Sequence, residues 1–135
     1  MILGCGVDLV EVGRIERERT RRGQDPFDDL FTPDELAWCR ARRRPAEGYA
    51  LGFAAKEAFV KALGTGLMGR MAWTDMRIDW SGARPAVSLA GETASAAEAM
   101  GVELVHLTVA LASAQAAAWV VLEGRARTRR DPDGR

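Results

Sequence analysis

Lysine is nearly absent from this 135-residue chain. Seventeen arginines are accompanied by only two lysines, Lys56 and Lys61, and both stand beside one carboxylate, Glu57. Histidine is scarcer still: His106 is the only one, which excludes a multi-histidine metal site within one chain. The two cysteines, Cys5 and Cys39, lack metal-ligand spacing and read as buried or half-buried thiols of a reducing cytoplasm. Neither sign of charge is in excess, since nineteen basic and nineteen acidic residues give a formal net charge of zero. That argues against a protein relying on bulk attraction to nucleic acid or an anionic membrane. No basic segment precedes an apolar core at the amino terminus, so no secretory signal is expected. An apolar fraction of 47% and a charged fraction of 28% are ordinary for a soluble globular chain. The length suits one domain, and is small for a deep active-site cleft.

The most informative stretch is Phe53–Gly66, FAAKEAFVKALGTG. Its apolar spacing predicts a helix with a wide buried face, stopped by Gly64 in the left-handed conformation. Glu57 and Lys61 are four residues apart and share a face, the arrangement of an ordinary surface pair. Against that stands the choice of residue. Lysine carries a compact, strongly hydrated charge that approaches phosphate as a point. The turn Gly64-Thr65-Gly66 follows at once and leaves backbone N–H groups room to face an anion. A carboxylate for a metal, an ammonium for a phosphate and an open backbone together suggest a phosphate-handling site. The run Gly64–Gly69 is formally G-x-G-x-x-G, but a helix precedes it where a dinucleotide fingerprint requires a strand.

Elsewhere, Ile2–Val10 reads as a strand in which Gly4 and Gly6 allow close backbone approach. Asp8 near its end is either a helix cap or a hard-oxygen ligand for Mg²⁺. Glu11–Arg22 reads as a helix whose apolar stripe stops at Ile15. Arg14, Arg17 and Arg21 fall on one of its faces, either solvated or a dock for an acidic partner. After a loop over residues 23–29, Thr32-Pro33-Asp34-Glu35 is a capping-box start for a helix running to about Arg43. The arginine cluster of residues 40–44 could suggest nucleic acid, which the adjacent acids and the neutral chain oppose. The central helix is expected to begin near Ala46 or Glu47. A strand Trp73–Trp80, a turn at residues 81–85, a strand Ala86–Leu89 and a helix Glu92–Met100 follow. Residues 104–122 are almost continuously apolar, which leaves open a membrane span or two buried strands. Residues 124–135 form an arginine-rich tail, expected to be disordered.

FAAKEAFVKALGTG, with GCGVDLVEVGRIE upstream of it, resembles the holo-acyl-carrier-protein synthases, the small 4′-phosphopantetheinyl transferases. The likeness spans residues 1–123, a single domain. It implies an α+β fold, a small antiparallel sheet packed on a long central helix with additional helices, and so two strands within residues 103–123. It further implies transfer of 4′-phosphopantetheine from coenzyme A to a carrier serine, with Mg²⁺ held by Asp8 and Glu57. Lys61 would neutralise phosphate charge, and Lys56 would do the same or pair with an acid. Gly64, Thr65 and Gly66 would line the nucleotide. By the same resemblance the protein is a cytoplasmic homotrimer in which His106 and Arg84 reach a neighbour's site. Arg14 would contact the acidic carrier, with Arg17 and Arg21 adding long-range attraction. The carrier could belong to fatty-acid, polyketide or peptide synthesis. Two positions leave the family pattern. Gly52 stands where arginine is common, so Gly52→Arg is expected to tighten coenzyme A binding, and Leu111 stands where a second histidine is common. A relative that binds a carrier without transferring the arm, or that acts on the carried acyl chain, is the second reading.

Overall fold

Residues 1–22 and 27–125 are described by the computed structural model of this chain. Part of the expected loop at residues 23–29 and nearly all of the expected tail lie outside the described residues. In chain order, β1 (Ile2–Glu11) leads into α1 (Val12–Arg22), α2 (Pro33–Ala41) and α3 (Pro45–Leu63). A 3₁₀ turn, Trp73–Asp75, precedes β2 (Met76–Asp79) and β3 (Ala86–Leu89). Then come α4 (Gly91–Met100), β4 (Val102–Ala112) and β5 (Gln115–Gly124). Three strands form an antiparallel sheet in the order β1-β5-β4, and β2 with β3 form a separate antiparallel ribbon. The architecture is α+β, as the resemblance implied.

Burial alternates along β5, where Ala116, Ala118, Val120 and Leu122 are buried and the residues between them are more open. This period of two turns one face of the sheet towards α3. α3 answers with small residues, Ala54, Ala58 and Ala62, all buried. Contact is closest at β1. A Cβ on Gly6 would overlap the carbonyl oxygen of Ala58, and one on Gly4 that of Ala62. The two glycines therefore serve backbone-to-backbone approach, as their place in the strand suggested. The apolar run of residues 104–122 resolves into the β4–β5 hairpin, which turns at Ser113 with φ 52°. Among the described residues no helix is long and apolar enough to cross a membrane.

One charged pair is sealed inside this packing. Lys56 Nζ lies 3.0 Å from Glu35 Oε2, and both side chains are 1% exposed. Lys56 also donates to the carbonyls of Met76 at 2.6 Å and Trp73 at 2.9 Å. Glu35 is the third residue of α2 and completes the capping box with Thr32; its other oxygen accepts from the Ile78 N–H at 2.8 Å. The pair thus ties α3 to the start of α2 and to β2. Burial pushes the Lys56 ammonium below the usual lysine range, and Glu35 opposes that shift. All three ammonium hydrogens have acceptors in the core. The phosphate contact proposed for Lys56 has no donor left to make it; the structure realises the pairing with an acid.

Two other expectations are corrected. The segment from Trp73 starts as a 3₁₀ turn because Asp75 Oδ2 accepts from the Ala72 N–H and the Thr93 hydroxyl, curling the chain before β2 begins. Cys5 is exposed on the sheet face turned away from α3, where the Trp119 indole N–H donates to its sulfur at 2.9 Å. Cys39 is buried as expected.

Lys56→Met should lower unfolding free energy by about 3–5 kcal/mol, because Glu35 is left as an uncompensated buried charge. Adding Glu35→Leu should recover only part, since the Ile78 N–H and two carbonyls then lose partners. Chemical denaturation of both variants checks this; a single mutant as stable as wild type would refute it.

Candidate active site

Residues 4, 6 and 8 of β1 share the face that meets α3, so the glycine contact carries Asp8 to the last turns of the helix. There Lys61 Nζ lies 2.8 Å from Asp8 Oδ1 and donates also to the Val7 carbonyl at 3.1 Å. Lys61 therefore pairs across the helix–strand contact rather than with Glu57 one turn back on its own helix. The hydrogen bond to Asp8 and the charge of Asp8 hold the Lys61 ammonium above the usual lysine range. Glu57, half-buried beside them, titrates above the usual carboxylate range. Burial is the larger cause and the nearby Asp8 charge the second, with Lys61 opposing. Two carboxylates and one ammonium thus share a partly desolvated corner where the strand crosses the end of the helix.

Gly64 ends α3 at φ 76°, and its N–H donates to the carbonyls of Val60 and Lys61. Gly64 is thus the left-handed helix stop expected of it, and its N–H, taken up by the cap, is not free for the anion contact also expected there. Beyond it Gly66 has φ 71° and open space where a side chain would be, and the Thr65 hydroxyl bonds the Gly66 carbonyl. Arg84 and His106 lie elsewhere. They line an open groove between the β2–β3 turn and the β4–β5 hairpin, with Thr108 and Trp119. His106 Nε2 is 2.7 Å from Glu123 Oε2. By strand register His106 is on the sheet face opposite Asp8, so one chain does not bring the two groups together. Arg14, Arg17 and Arg21 are exposed on α1, and Arg17 reaches Glu11 at 3.4 Å.

The sequence reading missed the second task of Glu35, which it took only as part of a cap. A lysine set among alanines on a buried helix face is the signal, since such a charge demands an acid. The substitution Gly52→Arg is also recast. Gly52 is buried, and a Cβ there would sit 2.6 Å from Phe31 Cε1. An arginine at this position meets a ring before it meets solvent.

A strand aspartate, a helix glutamate and a helix lysine are thus gathered at one end of an α+β core. The chain belongs to the 4′-phosphopantetheinyl transferase superfamily, which matches residues 4–119, and it is a phosphopantetheinyl transferase. It is 39% identical over 124 residues to the holo-[acyl-carrier-protein] synthase of Koribacter versatilis, covering 91% of this chain and 99% of that one. The crystal structure of the Neisseria meningitidis synthase superposes with a TM-score of 0.80 at 34% identity, covering 91% of this chain and 99% of that one. The Bacillus anthracis synthase, solved in complex with coenzyme A (3′,5′-ADP), gives 0.71 at 29%, covering 93% and 99%.

Gly52→Arg should destabilise the fold by about 1–3 kcal/mol through displacement of Phe31, without tightening coenzyme A. Denaturation and calorimetry together check this. Tighter nucleotide binding at unchanged stability would restore the original expectation.

Proposed function

We propose that this chain moves 4′-phosphopantetheine from coenzyme A to a serine hydroxyl of an apo acyl carrier protein, with Mg²⁺ at the Asp8–Glu57 pair. The observation that carries the reading is the cluster of Asp8, Glu57 and Lys61 at the end of α3. The names of the relatives and the coenzyme A bound to the Bacillus anthracis synthase support the donor and the acceptor. In the reaction the serine oxygen bonds to phosphorus, the pyrophosphate P–O bond breaks, 3′,5′-ADP leaves and the serine proton is released.

The donor set fits the metal. Among the described residues no three His, Cys, Asp or Glu side chains converge. Two carboxylates are what Mg²⁺ usually takes from protein, the rest being phosphate oxygens and water. The Asp8 charge that raises Glu57 is what a divalent cation between them would relieve. Bound there, Mg²⁺ would neutralise pyrophosphate charge and polarise the phosphorus under attack. Lys61, an ammonium at neutral pH like any lysine, would set its positive charge against phosphate oxygens in the transition state.

The groove holding Arg84 and His106 belongs to the same reading through a second copy of the chain. Val7, Leu9, Leu104 and Trp119 are 50%, 65%, 55% and 53% exposed. Val7, Leu9 and Trp119 lie by register on the sheet face away from α3. An apolar face of this kind is a contact surface. Copies packed there as a cytoplasmic homotrimer would bring Arg84 and His106 to a neighbour's acid pair. The exposed Arg14 of α1 would meet the acidic carrier.

Glu57→Gln should abolish holo-carrier formation, read by intact mass, while leaving the melting temperature close to wild type. Mg²⁺ should raise the wild-type melting temperature and not that of Glu57→Gln. Activity retained by the variant across a Mg²⁺ titration would remove the metal assignment. Arg14→Glu should raise the KM for carrier, and added salt should bring the wild type towards it. Light scattering should give three chains per particle; an active monomer would defeat the intersubunit role of His106.

A further inference from the structure

We propose that Arg19 is a positioning residue for carrier docking: laid over the ring of Tyr49, it holds the outer half of α1 against α3 and so sets where Arg14, Arg17 and Arg21 face. The proposal rests on α1 being the carrier-docking helix. Among the described side chains Ile15 is the last buried one of α1, and the helix continues as ERERTRR. A helix of eleven residues is marginal by itself in water, so what it packs on decides its direction. Arg19 follows Ile15 by four residues and lies on the same side, facing α3, whereas residues 14, 17 and 21 project to the opposite side. Its guanidinium carbon sits 4.8 Å from the centroid of Tyr49. That ring is fully buried on α3, flanked by Phe27 at 5.5 Å and Phe31 at 5.8 Å. A cation over a desolvated ring face is the stronger form of this contact.

The seat is also in register with the acid pair. Tyr49, Phe53, Glu57 and Lys61 follow each other at four-residue steps along α3, so the ring and the carboxylate share one stripe, about 12 Å apart along the axis. A rigid helix thus relates the direction of α1 to the place where the carrier serine must arrive. Tilting α1 moves the three outward arginines without touching Asp8, Glu57 or Lys61.

The test compares Arg19→Gln, Arg19→Lys, Tyr49→Leu and Tyr49→Phe in steady-state kinetics and hydrogen exchange. Arg19→Gln and Tyr49→Leu should each raise the KM for carrier about 2- to 30-fold, the range such a stack converts to. Their kcat and their KM for coenzyme A should stay within about twofold. Arg19→Lys should fall between, and Tyr49→Phe, which keeps the ring face, should stay closer to wild type in carrier KM than Tyr49→Leu. Tyr49→Leu keeps every charge of α1, so its effect cannot be lost attraction. The penalty should persist at salt concentrations where Arg14→Glu and wild type converge. In the free protein, amides of residues 16–22 should exchange faster in Arg19→Gln while α3 is unchanged. An unchanged carrier KM, a kcat that falls in step, a penalty that salt removes, or unchanged exchange in α1 would each overturn the proposal. If Arg14→Glu leaves the carrier KM alone, the docking reading falls and the proposal with it; a proposal wrong by itself shows as a normal Arg14 effect beside a silent Arg19.

Discussion

The backbone-to-backbone contact between β1 and α3 is the constraint on which the rest of this protein depends. No side chain larger than hydrogen fits at Gly4 or Gly6 against the carbonyls of Ala62 and Ala58. Because strand side chains alternate, the next residue on that face is Asp8, and the contact delivers it to the helix end carrying Glu57 and Lys61. A wider spacing would leave Asp8 and Lys61 too far apart to meet at 2.8 Å. Small residues here are therefore a requirement of the site as much as of the core.

Neighbouring residues on α3 divide two tasks. Successive positions on a helix are about 100° apart, so Lys56 and Glu57 cannot face the same way. Lys56 turns inwards to Glu35 and two carbonyls, tying α2 and β2 to the helix. Glu57 turns to the half-buried corner beside Asp8. Breaking the inner pair would loosen the frame that aims the outer acid, even though Lys56 touches nothing at the site. The two lysines, alike in sequence, end with opposite shifts: burial lowers one, and an adjacent carboxylate raises the other.

The sheet is used on both faces. One carries the α3 contact and Asp8; the other leaves Leu9 and Trp119 open and has His106 at its margin. Asp8 and His106 lie on opposite faces, so one chain does not bring both to one ligand. That division is the physical reason a second copy enters the proposed function.

Much of this protein is legible in its sequence. The helix Phe53–Leu63 with its glycine stop, the Thr32 capping box and the close-approach glycines are local signals, carried by spacing and by conformations that few residues adopt. Glu57 and Lys61 could be placed on one face for the same reason. The sequence by itself determined these elements and which residues bear charge within them. Tertiary structure alone decided how the charges pair: Lys61 with Asp8 fifty-three positions away, Lys56 with Glu35 and not with phosphate, Arg19 over Tyr49. It also decided that Gly52 lies under Phe31 and that His106 and Asp8 occupy opposite sheet faces. Local propensity reaches only a few residues along the chain. Partner choice among buried or crowded charges follows from desolvation and distance, which exist only once the helix has settled on the strand.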